Sequence, residues 1–181
     1  MNAPPRKPVE TPTRPPSELP DAEATLAALA ERMRGAVAHD AAFVGIYSGG
    51  AWLAERLGAM IPGNHPVGFI DVSFYRDDYA RTGLKSGAKR TDLPFDAEGA
   101  TIVLVDDVLF TGRSVRAAIN ELFDFGRPAR IELAVLVDRG GRELPIEPTY
   151  CGTRLAVARD LSVVLSRDGE RLHLGVEPAQ A

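Results

Sequence analysis

Five aliphatic or β-branched residues in a row, Thr101, Ile102, Val103, Leu104 and Val105, run directly into two acids, Asp106 and Asp107. An apolar run without polar alternation fits a strand covered on both faces, as in a parallel sheet with helices above and below it. Downstream, Val115, Ala118, Ile119, Leu122 and Phe123 recur at helical spacing, which predicts a helix over Arg113–Phe125. Strand, short turn and helix therefore follow one another, the signature of an α/β domain. In open α/β sheets ligands bind beyond the carboxyl ends of the strands, so the two acids stand where a ligand belongs.

The turn between strand and helix has its own chemistry. Thr111, Gly112 and Ser114 offer hydroxyls and backbone N–H groups at a helix start, where the helix dipole favours an anion. A phosphate monoester fits there. Two adjacent carboxylates pointing the same way need donors, and a pair of vicinal hydroxyls or a hydrated magnesium ion supplies them. Ribose 5-phosphate carries hydroxyls and phosphate together. A strand that merely ends in two acids before a Thr-Gly helix cap has the same short signature, so the rest of the chain must decide. The chain lacks the GxxxxGK-Ser/Thr layout of a nucleoside triphosphate loop, and Gly45, Gly49 and Gly50 do not have GxGxxG spacing. Kinase-like and dehydrogenase-like readings fall back accordingly.

Elsewhere, Asp21 is placed to cap a helix whose Leu26, Leu29, Ala30, Met33 and Val37 form one apolar face. Residues 42–47 read as a strand, Ser48, Gly49 and Gly50 as a tight loop, and 51–60 as a helix. A second strand is expected over 67–75, followed by a polar segment, 76–98, long enough to be a lid. Past Gly126-Arg127-Pro128, residues 131–137 read as a strand ending in Asp138 and 139–152 as a loop. Three short strands, 155–158, 161–165 and 171–176, would then build a small antiparallel hood.

With 181 residues and 45% hydrophobic content, one domain can bury a sizeable core. Half of the chain's 14 prolines fall within residues 1–20, which predicts a disordered Pro-rich arm before a single domain at 21–181. The net charge of −4 argues against a nucleic-acid binder that relies on an overall positive field. A lone cysteine, Cys151, and no apolar run long enough for a membrane span predict a cytoplasmic protein without a membrane role. His39, His65 and His173 lack metal-ligand spacing, and Trp52 and Cys151 need no more than a packing role.

The stretch 105–114 is similar to the phosphoribosyl pyrophosphate (PRPP) motif of the type I phosphoribosyltransferases. Together, VDDVLFTGRSVRA at 105–117, YRDD at 75–78 and GRPARIELAVLVDRGGRELPI at 126–146 resemble the PyrR family, pyrimidine-operon regulators that are also uracil phosphoribosyltransferases. The likeness runs from about residue 22 to about residue 165. It implies the type I phosphoribosyltransferase fold: a central, mostly parallel sheet flanked by helices, with a small hood and a flexible lid loop. It also implies conversion of uracil and PRPP to UMP and pyrophosphate, and regulation of pyrimidine biosynthesis genes in response to uridine nucleotides (UMP, UTP).

Carried over residue by residue, the resemblance assigns the ribose hydroxyls to Asp106 and Asp107 and the 5-phosphate to the turn of Val108, Leu109, Phe110, Thr111, Gly112, Arg113 and Ser114. Ser48, Gly49 and Gly50 become the pyrophosphate loop. Val137, Asp138, Arg139 and Gly140 become a uracil loop that reads the base largely through main-chain groups. Arg76, in the YRDD segment, becomes the lid's pyrophosphate contact, with Lys85 and Arg90 as further candidates. Mg²⁺ is expected to arrive with PRPP, with no metal ligands assigned to the protein and no organic cofactor. Purine enzymes commonly hold an Asp where this chain has Phe110, and an aromatic ring has no proton chemistry to offer, so a pyrimidine is expected. A homo-oligomer, dimer or larger, is also implied.

One position departs from the family. The pyrophosphate loop usually carries an arginine where this chain has Gly49, and a lost charge-assisted bond of ~2–3 kcal/mol would slow turnover roughly 10²-fold. That favours, as an alternative, a nucleotide-binding regulator or RNA-binding attenuator with little or no turnover. Arg32, Arg34, Arg139, Arg142, Arg154 and Arg159 are the candidate basic surface for messenger RNA, with Asp138, Glu143, Glu147 and Asp160 interspersed.

Overall fold

A computed structural model describes residues 18–72 and 90–179. Its elements are α1 (Ala22–Met33), β1 (Ala42–Ile46), α2 (Gly49–Met60), β2 (Val67–Ile70), β3 (Thr101–Leu109), α3 (Arg113–Phe125), β4 (Arg130–Asp138), β5 (Tyr150–Arg154), β6 (Leu161–Asp168) and β7 (Arg171–Pro178). Strands β2-β1-β3-β4-β5 form one sheet in that order, every pair parallel, while β6 and β7 make a separate antiparallel hairpin. This is the expected type I phosphoribosyltransferase architecture with a hood. No described helix is long and apolar enough to cross a membrane.

Alternation along the buried strands divides the core into two layers. Phe43, Val103, Val105, Ala134 and Leu136 point to one face, where α1, α2 and the hairpin cover them. Val44, Ile46, Ile102, Leu104, Leu133 and Val135 point to the other, under α3. α1 begins where Asp21 accepts a hydrogen bond from the Ala24 N–H at 2.8 Å, and it buries Leu26, Leu29, Ala30 and Met33.

Three sequence expectations change. β2 ends at Ile70 rather than 75; it is an edge strand among the described residues, where its outer side carries the isolated bridge from Phe69 to Asp92. The sequence predicts a strand at 155–158, but β5 occupies Tyr150–Arg154, overlapping the end of the segment 139–152 that reads as loop. Its Cys151 therefore lies in a strand, where burial raises the thiol's pKa. α2 starts at Gly49, so the expected tight loop is shorter by two residues. The YRDD segment with Arg76, and Lys85, fall outside the described residues, as does most of the Pro-rich arm.

A polar junction between α1, α2 and β7 ties the hood to the body of the domain. Arg56 on α2 donates two hydrogen bonds to Glu23 on α1, at 2.8 and 2.6 Å, and Glu23 also accepts the Leu172 N–H of β7 at 2.8 Å. Arg56 first, then the Leu172 amide, lower the Glu23 pKa from 4.5 to about 2. A depressed carboxylate pKa contributes stability above its unfolded value, and that contribution is lost as pH falls through the folded one. We expect Glu23→Gln to lower Tm by about 3 °C at neutral pH, for a contact of about 1 kcal/mol at this partly exposed site. In thermal melts at stepped pH the gap should close between about 4.5 and about 2. A gap unchanged at acid pH would show that the charge is not what holds the junction.

Candidate functional site

The two acids lie inside β3 rather than after it, and Asp106 stands in register with Val135 of β4. Successive side chains of a strand point to opposite faces, so two adjacent carboxylates reach one cleft only where that alternation breaks. Asp106, 7% exposed, follows its partner Val135 toward the α3 face, and Asp107 packs against Gly49 on the α2 face. Just here the alternation slips by one residue. Val108 and its register partner Val137 both join the α1/α2 layer, where strict alternation would place them under α3. Side chains replace ladder partners at the slip: Asp107 N–H donates to Asp106 Oδ1 and Val108 N–H to Asp107 Oδ1, each at 3.0 Å. The result turns both carboxylates to one cleft.

Glycines bring α2 onto this slip. A Cβ on Gly49 would stand 2.6 Å from Asp107 Cγ, and one on Gly50 would stand 3.1 Å from Asp106 Cα, closer still to the Val105 carbonyl oxygen. A Cβ on Gly45 of β1 would meet Gly50 O and Ala51 Cα at 2.5 Å. The start of α2, with its unpaired N–H groups, is thus pressed against the acids. This gives Gly49 a steric reason that the sequence comparison alone does not supply: the Asp107 carboxylate occupies the space of a side chain. We expect Gly50→Ala to lose about 2–3 kcal/mol of stability through overpacking, seen as a Tm fall of about 4–12 °C. An unchanged Tm would mean that the helix start can move off the strand.

The turn after β3 behaves as its composition predicts. Gly112 has φ +92°, so the αL conformation is cheapest for glycine, and α3 starts immediately after it. Thr111 Oγ1 accepts the Arg113 N–H at 3.3 Å. The helix's first N–H groups face the turn without intrahelical partners. Arg113 itself leans away to Glu143 at 2.9 Å.

Beside the turn runs the loop after β4. Gly140 and Gly141 both hold positive φ, +71° and +74°, and a Cβ on Gly141 would enter the Phe110 ring. Phe110 is therefore wedged between Gly141 and the Arg139 guanidinium, whose carbon lies 4.1 Å from the ring centroid. Arg142 fixes this loop from below. It pairs with Asp138 at 2.7 Å and donates to Phe110 O at 3.0 Å and Ile146 O at 2.8 Å. Asp138 is buried and also accepts the Gly140 N–H at 3.0 Å, so its carboxylate is engaged within the loop.

These parts share one cleft of about 290 Å³, lined by Asp106 to Gly112, Ser114, Val115, Arg139 and, from the hood, Ser162, Val163 and Val164. The structure thus brings together the acids, the turn and Arg139, with Gly49 and Gly50 behind the acids. It leaves Asp138 in the loop's interior. Ser162, Val163 and Val164 were not legible in the sequence, since only the hairpin's packing brings them to the cleft. No group of three or more His, Cys, Asp or Glu side chains able to hold a metal is found among the described residues.

Of the six arginines proposed as a basic surface, two are withdrawn from solvent. Arg139 is buried, and Arg142 is largely buried in ion pairs. Arg32 donates to the carbonyls of Cys151 and Gly152, and Arg34 pairs with Glu31 at 2.9 Å. Arg154 and Arg159 are exposed.

Residues 17–156 match the family model of the phosphoribosyl transferase domain. The chain belongs to the phosphoribosyl transferase family. Within it, the chain belongs with the PyrR proteins: it is 55% identical over 158 residues to the bifunctional protein PyrR of Ralstonia nicotianae, covering 85% of this chain and 90% of that one. It is 50% identical over 123 residues to PyrR of Pseudomonas aeruginosa, covering 68% of this chain and 72% of that one. Among solved phosphoribosyltransferases, a hypoxanthine-guanine enzyme from Bacillus anthracis superposes with a TM-score of 0.60 at 18% identity, over 78% of this chain and 85% of that one. A purine phosphoribosyltransferase from Pyrococcus horikoshii gives 0.57 at 25% identity, over 76% and 84%. The purine enzymes share the fold, whereas the PyrR proteins share the sequence.

Proposed function

We propose that this phosphoribosyltransferase condenses uracil with PRPP to give UMP and pyrophosphate, and that the same site, occupied by UMP or UTP, serves regulation of pyrimidine biosynthesis genes. The observation that carries the reading is the single cleft that joins two carboxylates and a phosphate-sized helix start to a glycine-bearing loop, in a chain of PyrR kinship. Asp106 and Asp107 accept hydrogen bonds from the ribose hydroxyls, and the N–H groups and hydroxyls from Val108 to Ser114 hold the 5-phosphate. Backbone N–H groups at Ser48, Gly49 and Gly50 face the pyrophosphate, with Arg76 of the lid as a charged partner. Main-chain groups of Val137, Asp138, Arg139 and Gly140 read the uracil edge. A site that hydrogen-bonds that edge rejects a mismatched base by leaving its own polar groups unpaired.

The anomeric carbon gains positive charge as pyrophosphate departs, and the two carboxylates beneath the ribose stabilise it from fixed positions. Mg²⁺ belongs to the PRPP complex and neutralises charge on the leaving group. Two carboxylates are fewer ligands than an all-protein magnesium site needs, which suits a metal brought in by substrate phosphates. The protein's part is placement and exclusion of water under hood and lid. We read residues 21–181 as one domain acting in the cytoplasm as a homo-oligomer.

Gly49 supports a second reading, a nucleotide-responsive regulator with little turnover, because the loop carries one cation fewer than is usual. Pyrophosphate release from PRPP and Mg²⁺, measured with uracil, orotate and hypoxanthine in turn, separates the two. We expect release with uracil alone. Tight PRPP or UMP binding without release would favour the regulator, and release with hypoxanthine would defeat the pyrimidine reading. For messenger RNA, the dispersed arginines predict a shallow salt dependence on a pyrimidine-operon leader, whereas a steep log–log slope would require a basic face.

A further inference from the structure

Arg139 is a buried cation that no carboxylate neutralises among the described residues. Its neighbours differ: Asp138 is shared by Arg142 and Arg154, and Glu132 pairs with Arg130. Arg139, 7% exposed, donates Nη1 to Leu161 O at 2.7 Å and Nη2 to Ala158 O at 2.8 Å, and rests against the Phe110 ring. Its Nε is buried without an acceptor. Carbonyl oxygens and an aromatic face hold a guanidinium in place without cancelling its charge. Burial lowers its pKa, yet an arginine stays protonated in a folded protein. Loss of water around an uncompensated charge opposes folding, and a loop-to-hood clamp alone has no need of the charge. The side chain lines the cleft, on the loop read above as the uracil loop.

Uracil as a neutral ring is a poor nucleophile at N1. To attack, that nitrogen must give up its proton, and the resulting negative charge spreads over the two ring carbonyls. A fixed cation in a low-dielectric wall acts on such charge across several ångströms without touching it. The geometry points to Arg139 as the counter-charge of the base: it stabilises uracil as an anion while N1 attacks the anomeric carbon. The N1–C1′ bond forms as the bond from C1′ to the pyrophosphate oxygen breaks. The electron pair of the broken bond leaves with pyrophosphate, and the N1 proton passes to solvent or to that leaving group. This inference rests on the proposed uracil activity and adds a charge requirement to it.

The test compares uracil with 5-fluorouracil, whose ring N–H groups are more acidic and need less help. In Arg139→Gln, kcat/KM for uracil should fall about 30-fold and for 5-fluorouracil no more than about 10-fold, while KM for PRPP stays within about twofold. Arg139→Lys keeps the charge, so its ratio between the two bases should match the unaltered protein even where its Tm falls. Arg139→Met, which keeps an apolar stem against Phe110, serves as the neutral variant if the Gln protein does not fold. Equal losses for both bases in the neutral variant, or a Lys variant whose ratio moves as far as the neutral one, overturns the inference. Absence of turnover in the unaltered protein would defeat the catalytic reading separately. The comparison then moves to binding of UMP and 5-fluoro-UMP in alkaline buffer, where the fluorinated ring is the more ionised. The neutral variant must lose more affinity for 5-fluoro-UMP, and equal losses again overturn the inference.

Discussion

Asp107→Asn should weaken binding of Mg²⁺-PRPP by about 10²-fold, and the double variant Asp106→Asn/Asp107→Asn should abolish measurable binding in a calorimetric titration. Each carboxylate that accepts a hydroxyl hydrogen bond contributes about 1.5–3 kcal/mol, and every 1.4 kcal/mol is about tenfold in affinity. The fold should survive the change. The local role of Asp107 is to accept the Val108 N–H through Oδ1 at 3.0 Å, and an asparagine Oδ1 does the same. Loss of affinity with an unchanged Tm would therefore isolate the ligand contact. Unchanged PRPP affinity in the double variant would sink the assignment of the ribose site.

Gly49→Arg restores the residue that is usual in this loop, and two opposite outcomes are at stake. If charge is all that the loop lacks, the variant gains about 10²-fold in rate. The structure predicts the reverse, since a Cβ at this position would stand 2.6 Å from Asp107 Cγ, and any side chain must push that carboxylate or the start of α2 aside. We expect PRPP affinity to fall at least about tenfold, with a Tm fall of about 2–8 °C for 1–2 kcal/mol of overpacking. Gly49→Ala adds the same Cβ without the charge and should lose affinity by a similar factor. An arginine variant that gains rate while the alanine variant loses it would show that Asp107 relocates at little cost.

Much of this site can be read locally. The apolar run 101–105, the acids, and the helix at Arg113–Phe125 are set by neighbours in sequence, because periodicity and turn chemistry act within a few residues. β5 is not legible because Tyr150-Cys151-Gly152-Thr153-Arg154 has no apolar run, and among the described residues it pairs with β4 alone, at the sheet's edge. How the two carboxylates come to share one cleft is not legible in the sequence for a different reason. The slip at Asp107 depends on Val108 and Val137 turning together into the α1/α2 layer, a fact of tertiary packing.

Phe110 shows the same division. Its identity marks the base class by comparison with purine enzymes, yet its position is decided by Arg139 and Gly141, some thirty residues on. Charge along a sequence does not say which arginines are held by carbonyls, as Arg32 and Arg139 are. The hood wall of Ser162, Val163 and Val164 carries no chemical signature at all. It becomes part of the cleft through the packing of the hairpin, anchored at Glu23 and Arg56 and clamped by Arg139 at Leu161 and Ala158.

Direct identification of the product tests the central claim. Incubation of the protein with PRPP, Mg²⁺ and ring-labelled uracil, followed by chromatography, should yield labelled UMP and pyrophosphate in equal amounts, with none from Asp106→Asn/Asp107→Asn. No labelled UMP, together with no PRPP or UMP binding by titration, would contradict the account.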